Sequence, residues 1–129
     1  MYLDASALVK LYVREPESDE VDRILSVEPD QSTARITLVE LRRNLARTLR
    51  GSALARARTE FERDWEQLHV IEINDELCDR AAELAELTRL KTLDAIHLAA
   101  AERIGGPILT YDVAQARAAR GLGLAVIGA

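Results

Sequence analysis

The chain has one cysteine, two histidines and no apolar run long enough to cross a membrane, and each scarcity closes a class of function. Cys78 cannot form an internal disulfide on its own. No stretch approaches the roughly twenty apolar residues that a membrane helix needs. Met1 opens on a short strand-like run, with none of the basic segment and long apolar core of a secretory leader. The expectation is a soluble, cytoplasmic protein with no membrane association. His69 and His97 are far apart in sequence, so neither has a second histidine nearby with which to bind zinc. There is also no glycine-rich phosphate loop, no Gly-x-Ser-x-Gly elbow and no Cys-x-x-Cys pair. Nucleotide cofactors, serine hydrolysis and zinc are therefore unsupported.

What is present fits one domain spanning residues 1–129. At 48% hydrophobic content, a chain of 129 residues buries about two thirds of its unfolded surface without staples. The formal charge of −5 argues against a chain that binds nucleic acid through its overall charge. Its distribution is uneven, however. No acid lies between Glu40 and Glu60, while Arg42, Arg43, Arg47, Arg50, Arg56 and Arg58 all do. Such an interval is either a solvated helical face or a local surface for a phosphate backbone, with Arg42, Arg43 and Arg47 as the candidate contacts.

Taken in order, Met1-Tyr2-Leu3 reads as a strand, followed by a helix capped by Asp4 or Ser6. Val21, Ile24 and Leu25 stripe a second helix that ends near Val27. Gln31–Arg35 suits a short strand. Thr37-Leu38-Val39-Glu40 then matches a capping box opening a helix with Leu38, Leu41, Leu45 and Leu49 inward. Gly51-Ser52 reads as a stop and a fresh cap before a helix striped by Leu54, Phe61, Trp65 and Leu68, a pattern typical of core or subunit contact. His69–Ile73 is a strand by β-branched alternation, and Asn74 caps a helix carrying Leu77, Ala81 and Leu84. Thr92 is placed to cap a helix that is apolar almost all round, ended by Gly105-Gly106-Pro107. Ile108-Leu109-Thr110, a helix over Val113–Arg120 and a last strand at Leu124–Ile127 complete the alternation. This pattern predicts an α/β fold, a three-layer α/β/α sandwich around a mostly parallel sheet.

In such sheets ligands bind beyond the carboxyl ends of the strands. Asp4 and Asp112 directly follow strands, while Glu40 and Asp94 are read into the first turns of helices, so all four belong to that edge. Each has an ordinary explanation as a cap or dipole partner. Together they repel by about 1 kcal/mol per close pair in water, and more when partly desolvated. Protons or a divalent cation must offset that. Oxygen ligands fit Mg²⁺ or Mn²⁺ and suit phosphodiester hydrolysis, in which an ion activates water and neutralises growing charge. Ser6 and Thr110 could bond a carboxylate or a phosphate, or serve as turn residues. His97, one turn beyond Asp94, reads as a core histidine with one satisfied nitrogen, although an Asp-His metal pair must be considered.

These residues resemble the PIN-domain nucleases, in particular the VapC toxins of toxin-antitoxin pairs. Tyr2-Leu3-Asp4-Ala5-Ser6 is similar to the family's opening strand with its Asp-x-Ser, and Thr37-Leu38-Val39-Glu40-Leu41 to its helix-borne Glu. Leu93-Asp94-Ala95-Ile96-His97 is similar to its Asp-x-x-His segment, and Leu109-Thr110-Tyr111-Asp112 to its terminal Thr-x-Asp. The resemblance implies a Mg²⁺- or Mn²⁺-dependent endoribonuclease with Asp4, Glu40, Asp94 and Asp112 as catalytic residues and metal ligands. It also implies a homodimer, an RNA substrate and a cognate antitoxin protein. Many relatives carry a further acid soon after the last Asp, whereas Val113-Ala114-Gln115-Ala116 has none, so a stable second ion is not implied.

Two other classes place acids in α/β sheets. A phospho-receiver or dehalogenase-like phosphatase is disfavoured because Asp4 lacks the following Asp-x-Thr/Val and no Lys follows the last strand. A non-catalytic RNA- or protein-binding module is disfavoured because a scaffold has no reason to keep repelling charges together.

Overall fold

Five strands of two or three residues each, too short to stand alone, are held in one sheet by the helices that alternate with them. The computed structural model describes residues 1–129. In chain order it has β1 (Tyr2–Leu3), α1 (Ala5–Leu8) running into a 3₁₀ turn at Val9–Leu11, α2 (Ser18–Val27), β2 (Ser32–Ala34), α3 (Ile36–Thr48) and α4 (Gly51–Trp65). There follow β3 (His69–Ile71), α5 (Asp75–Thr88), α6 (Thr92–Ile104), β4 (Ile108–Thr110), α7 (Val113–Gly121) and β5 (Val126–Gly128). The sheet order is β3-β2-β1-β4-β5 and every pairing is parallel, with Tyr2 beside Ser32 on one flank and beside Ile108 on the other.

This order and the right-handedness of parallel crossovers together assign every helix to a layer. From β1 the chain steps outward through β2 to β3, so α1 to α4 cover one face. It then returns past β1 to β4 and β5, which sends α5, α6 and α7 to the other. The two cores obey that division. Leu3 and Leu109 pack with Leu8, Val21, Leu41, Leu45 and Phe61 on the first face. Tyr2 and Ile108 pack with Leu77, Leu84, Leu98 and Ala119 on the second. Neighbouring residues of β1 and β4 thus serve opposite cores, as the period of two in a strand requires.

The reversal of direction beside β1 makes the junction of β1 and β4 the sheet's switch point, and Asp4 and Asp112 lie just past the ends of these strands. The strands and helices lie within a few residues of where the sequence pattern puts them, but four caps do not form as read, the first at α1, where Asp4 makes no side-chain cap bond. Helix α3 begins at Ile36 without a side-chain cap, because the Thr37 hydroxyl is buried and paired with Thr33 at 2.7 Å. Helix α4 starts at Gly51, one residue before its expected cap Ser52, and α6 starts at its expected cap Thr92, so that Arg50 and Lys91 take the cap positions with no side-chain cap bond. Asn74 does cap α5, accepting from the Leu77 amide at 2.9 Å.

At the far edge, β5 is closely held: the Ala129 amide donates to the Thr110 carbonyl at 2.8 Å. Gly128 has φ of 107°, and a Cβ there would collide with that same Thr110 carbonyl. On the first face, Phe61 is 1% exposed and meets Tyr12 and Trp65 edge-to-face at 5.4 and 5.6 Å between centroids. Truncating Phe61 to Ala is expected to cost about 3–5 kcal/mol in urea unfolding; a loss well under that would mean that α4 is not part of this core.

Candidate functional site

The four sequence-predicted acids line one open cavity of about 440 Å³, together with Ser6, Arg43, Asn44 and the apolar Val39 and Leu93. Asp4 leaves β1, Glu40 comes from α3, Asp94 from the first turn of α6, and Asp112 from the end of β4. Glu40 lies in the second turn of its helix and not the first, since α3 begins at Ile36.

Asp4 is 4% exposed and does not cap α1; its carboxylate is held from the sheet side instead. Ser6 Oγ donates to Asp4 Oδ2 at 2.7 Å and Thr110 Oγ1 donates to the same oxygen at 2.8 Å. Each hydroxyl is in turn fixed by a backbone donor, Tyr111 N–H to Ser6 at 3.0 Å and Asp112 N–H to Thr110 at 3.1 Å. Both lone-pair directions of Oδ2 are thereby occupied, while Asp4 Oδ1 accepts no hydrogen bond. Asp112 caps α7, its Oδ1 accepting from the Gln115 amide at 2.8 Å, so the ordinary role and a place in the cavity coexist in one residue.

Glu40 is oriented by a residue that the sequence pattern treats as ordinary core. His97 is 1% exposed, and both ring nitrogens are engaged: Nε2 with Glu40 Oε1 at 2.5 Å and Nδ1 with the Tyr2 hydroxyl at 2.6 Å. Nδ1 also lies 3.8 Å from Asp4 Oδ1. With both nitrogens committed, the ring is no metal ligand; it is a brace under the acids. Burial pushes the His97 pKa down, but the bond to Glu40 and the charges of Asp4 and Asp94 outweigh it, and the net shift is upward. Burial, then Asp4, holds the Tyr2 phenol far above its ordinary range, so its proton stays in place. A hydroxyl can donate or accept, so the Tyr2-His97-Glu40 chain survives either charge state of the ring.

Asp94 is the least committed of the four: its carboxylate accepts no hydrogen bond and is half-buried. Desolvation raises its pKa first, then the charges of Asp112, Asp4 and Glu40, with His97 opposing. The acids are therefore close enough to repel. They are not closed into a cage, since no three His, Cys, Asp or Glu side chains converge on a point that could hold an ion by themselves. The donor chemistry still fits a hard cation. It is oxygen only and leaves carboxylate oxygens unpaired, and Mg²⁺ takes one or two carboxylates directly while keeping water for its other positions.

Among the arginines, Arg43 lies on the cavity wall, whereas Arg42 and Arg47 are exposed outside it. Neither the bracing role of His97 nor its partner Tyr2 was marked by the sequence: the Asp-x-x-His segment places the histidine one turn after Asp94 but does not show what its ring contacts.

The raised pKa of Asp94 has a definite sign in stability. The folded state binds this proton more tightly than the unfolded state does, so stability is lost as pH rises from the ordinary aspartate range through the raised folded value. In metal-free protein at neutral pH, Asp94→Asn is expected to raise the melting temperature and flatten that fall. A lower melting temperature would show that interaction with the α6 dipole outweighs repulsion.

The sequence profile of the PIN domain matches residues 1–121. A ribonuclease VapC46 from Mycobacterium tuberculosis is 39% identical over 130 aligned positions, covering 98% of this chain and 95% of the relative. The solved structure of Mycobacterium tuberculosis VapC20, described as a sarcin-ricin loop cleaving toxin, superposes with a TM-score of 0.73 at 20% identity, covering 91% of this chain and 93% of that one. A toxin-antitoxin complex from Klebsiella pneumoniae contains a chain with a TM-score of 0.69 at 19% identity, covering 86% and 85%. No helix is long and apolar enough to cross a membrane. Profile, relative and fold agree over nearly the whole length: this chain belongs to the PIN-domain family and, within it, to the VapC-type ribonuclease toxins.

Proposed function

We propose that this ribonuclease is a Mg²⁺- or Mn²⁺-dependent endonuclease and that Asp4, Glu40, Asp94 and Asp112 hold the ion against a scissile RNA phosphate. The observation that carries this reading is the convergence of all four acids on one cavity with an unpaired arginine on its wall. When bound, a divalent cation supplies polarisation of the phosphate and neutralisation of the charge that grows on it in the transition state.

The chain's own residues supply the rest. Ser6 and Thr110 fix Asp4 in one orientation before substrate arrives, and His97 does the same for Glu40. Such pre-set carboxylates avoid the reorganisation that mobile ones would need during reaction. Asp94 accepts no hydrogen bond and is therefore the carboxylate with the most freedom to turn toward an arriving ion. Arg43 and Asn44 border the acids and can bind flanking phosphate and base edges, and Arg42 and Arg47 extend that positive surface along α3. An open cavity at a sheet edge suits splayed single-stranded or looped RNA better than a regular duplex, whose base edges are hard to reach.

The same chemistry makes the protein the toxin of a pair, working in the cytoplasm as a homodimer until a cognate antitoxin protein covers the cleft. The Klebsiella pneumoniae complex supports the existence of such a partner.

EDTA is expected to abolish cleavage of a looped RNA, and added Mn²⁺ to restore it. Asp4→Asn should remove activity while the far-ultraviolet spectrum stays native; full activity in that variant would defeat the four-acid assignment. Arg42→Glu combined with Arg43→Glu should weaken RNA binding and flatten its dependence on salt, by about 0.7 in the logarithmic slope for each phosphate no longer neutralised. An unchanged slope would assign those arginines to solvent or to the protein partner.

A further inference from the structure

Asp94 and Asp112 stand at the starts of two different helices, yet one residue contacts both, the first through its side chain and the second through its backbone. Gln115 is fully buried, at 0% exposure. Its backbone N–H donates to Asp112 Oδ1 at 2.8 Å, and its side-chain Nε2 donates to the Asp94 carbonyl at 3.1 Å. The other half of the amide, Oε1, is buried with no hydrogen-bond partner. An orphaned buried acceptor is destabilising, and an apolar side chain of the same size would fill the space without it. Packing alone therefore does not account for glutamine at this position. What glutamine adds is the donor that reaches α6.

The backbone bond to Asp112 is available to any residue but proline at position 115, because it belongs to the cap of α7. The side-chain bond is specific, and it ties the first turn of α6 to the first turn of α7. Apart from it, the Asp94 and Asp112 carboxylates are related only through the packing of two helices, and the segment Val113–Ala116 supplies no acid of its own.

We infer that Gln115 is a positioning residue that sets the separation of the Asp94 and Asp112 carboxylates, and with it the affinity of this half of the cleft for a divalent cation. The inference rests on the proposed role of the four acids. Gln115 itself touches neither substrate nor ion.

The test compares the wild-type protein with Gln115→Met, which keeps length and burial but cannot donate, and with Gln115→Asn, which keeps the amide but is one methylene too short to reach. Three quantities are measured: Mn²⁺ affinity without RNA by titration calorimetry, melting temperature without metal, and kcat and KM on a looped RNA. In Gln115→Met, Mn²⁺ affinity and kcat should each fall about tenfold or more, KM should stay near wild type, and the melting temperature should hold or rise as the orphaned acceptor disappears. Gln115→Asn should lose affinity and kcat in the same way, and it decides the matter if the Met variant fails to fold. Wild-type affinity and kcat in a folded variant, with or without a lower melting temperature, would overturn the inference and leave Gln115 as a core residue. Absence of Mn²⁺ binding and cleavage in the wild-type protein would instead overturn the functional reading beneath it.

Discussion

Repulsion among like charges at the open end of a parallel sheet is the constraint around which the rest of this molecule is arranged. Four carboxylates face one cavity, and Asp94 bears the mark of it in a pKa raised by burial and by its three acidic neighbours. The fold offsets this with hydrogen-bond donors, one of them a histidine whose proton is held more tightly than usual. Two hydroxyls hold Asp4, a ring nitrogen holds Glu40, and the first-turn amides of α7 and α6 lie beside Asp112 and Asp94. A lysine or arginine bonded directly to the acids would cancel the charge but also occupy the oxygens that make the cleft useful. Arg43 stands at the wall without pairing to any of them.

The central strand connects this electrostatics to stability. In β1, Tyr2 packs into one core, Leu3 into the other, and Asp4 emerges at the cleft. Tyr2 then reaches His97 with its hydroxyl while its ring packs edge-on against the imidazole at 5.9 Å. Core and site therefore share side chains. A change that loosens the packing of α6 also loosens the brace on Glu40.

Much of this was legible in sequence, for local reasons. Alternating periods of two and 3.6 identify strands and helices, and an acid directly after a buried strand is conspicuous whatever its partner. Cap assignments fared worse because a cap competes with other uses of the same side chain, and the Thr37 hydroxyl finds a better partner in buried Thr33. The His97 brace was not legible at all: its partners lie 57 and 95 residues away along the chain. The arginines show how far periodicity reaches. Arg43 falls one turn after Glu40 and lines the cavity with it; Arg42 and Arg47 lie on the same helix outside the cavity. Gln115 carries no signal, since glutamine in a helix is common and only the fold brings it against Asp94.

The close seating of β5 makes position 128 intolerant of any side chain. Thr110 is pinned on one side by Asp4 and on the other by the amide of Ala129, and Gly128 leaves room for that second contact. Any side chain at position 128 shifts the edge strand off Thr110 and so disturbs the hydroxyl that aims Asp4. Residues 128 and 129, which do not line the cleft, thereby help to aim a carboxylate within it.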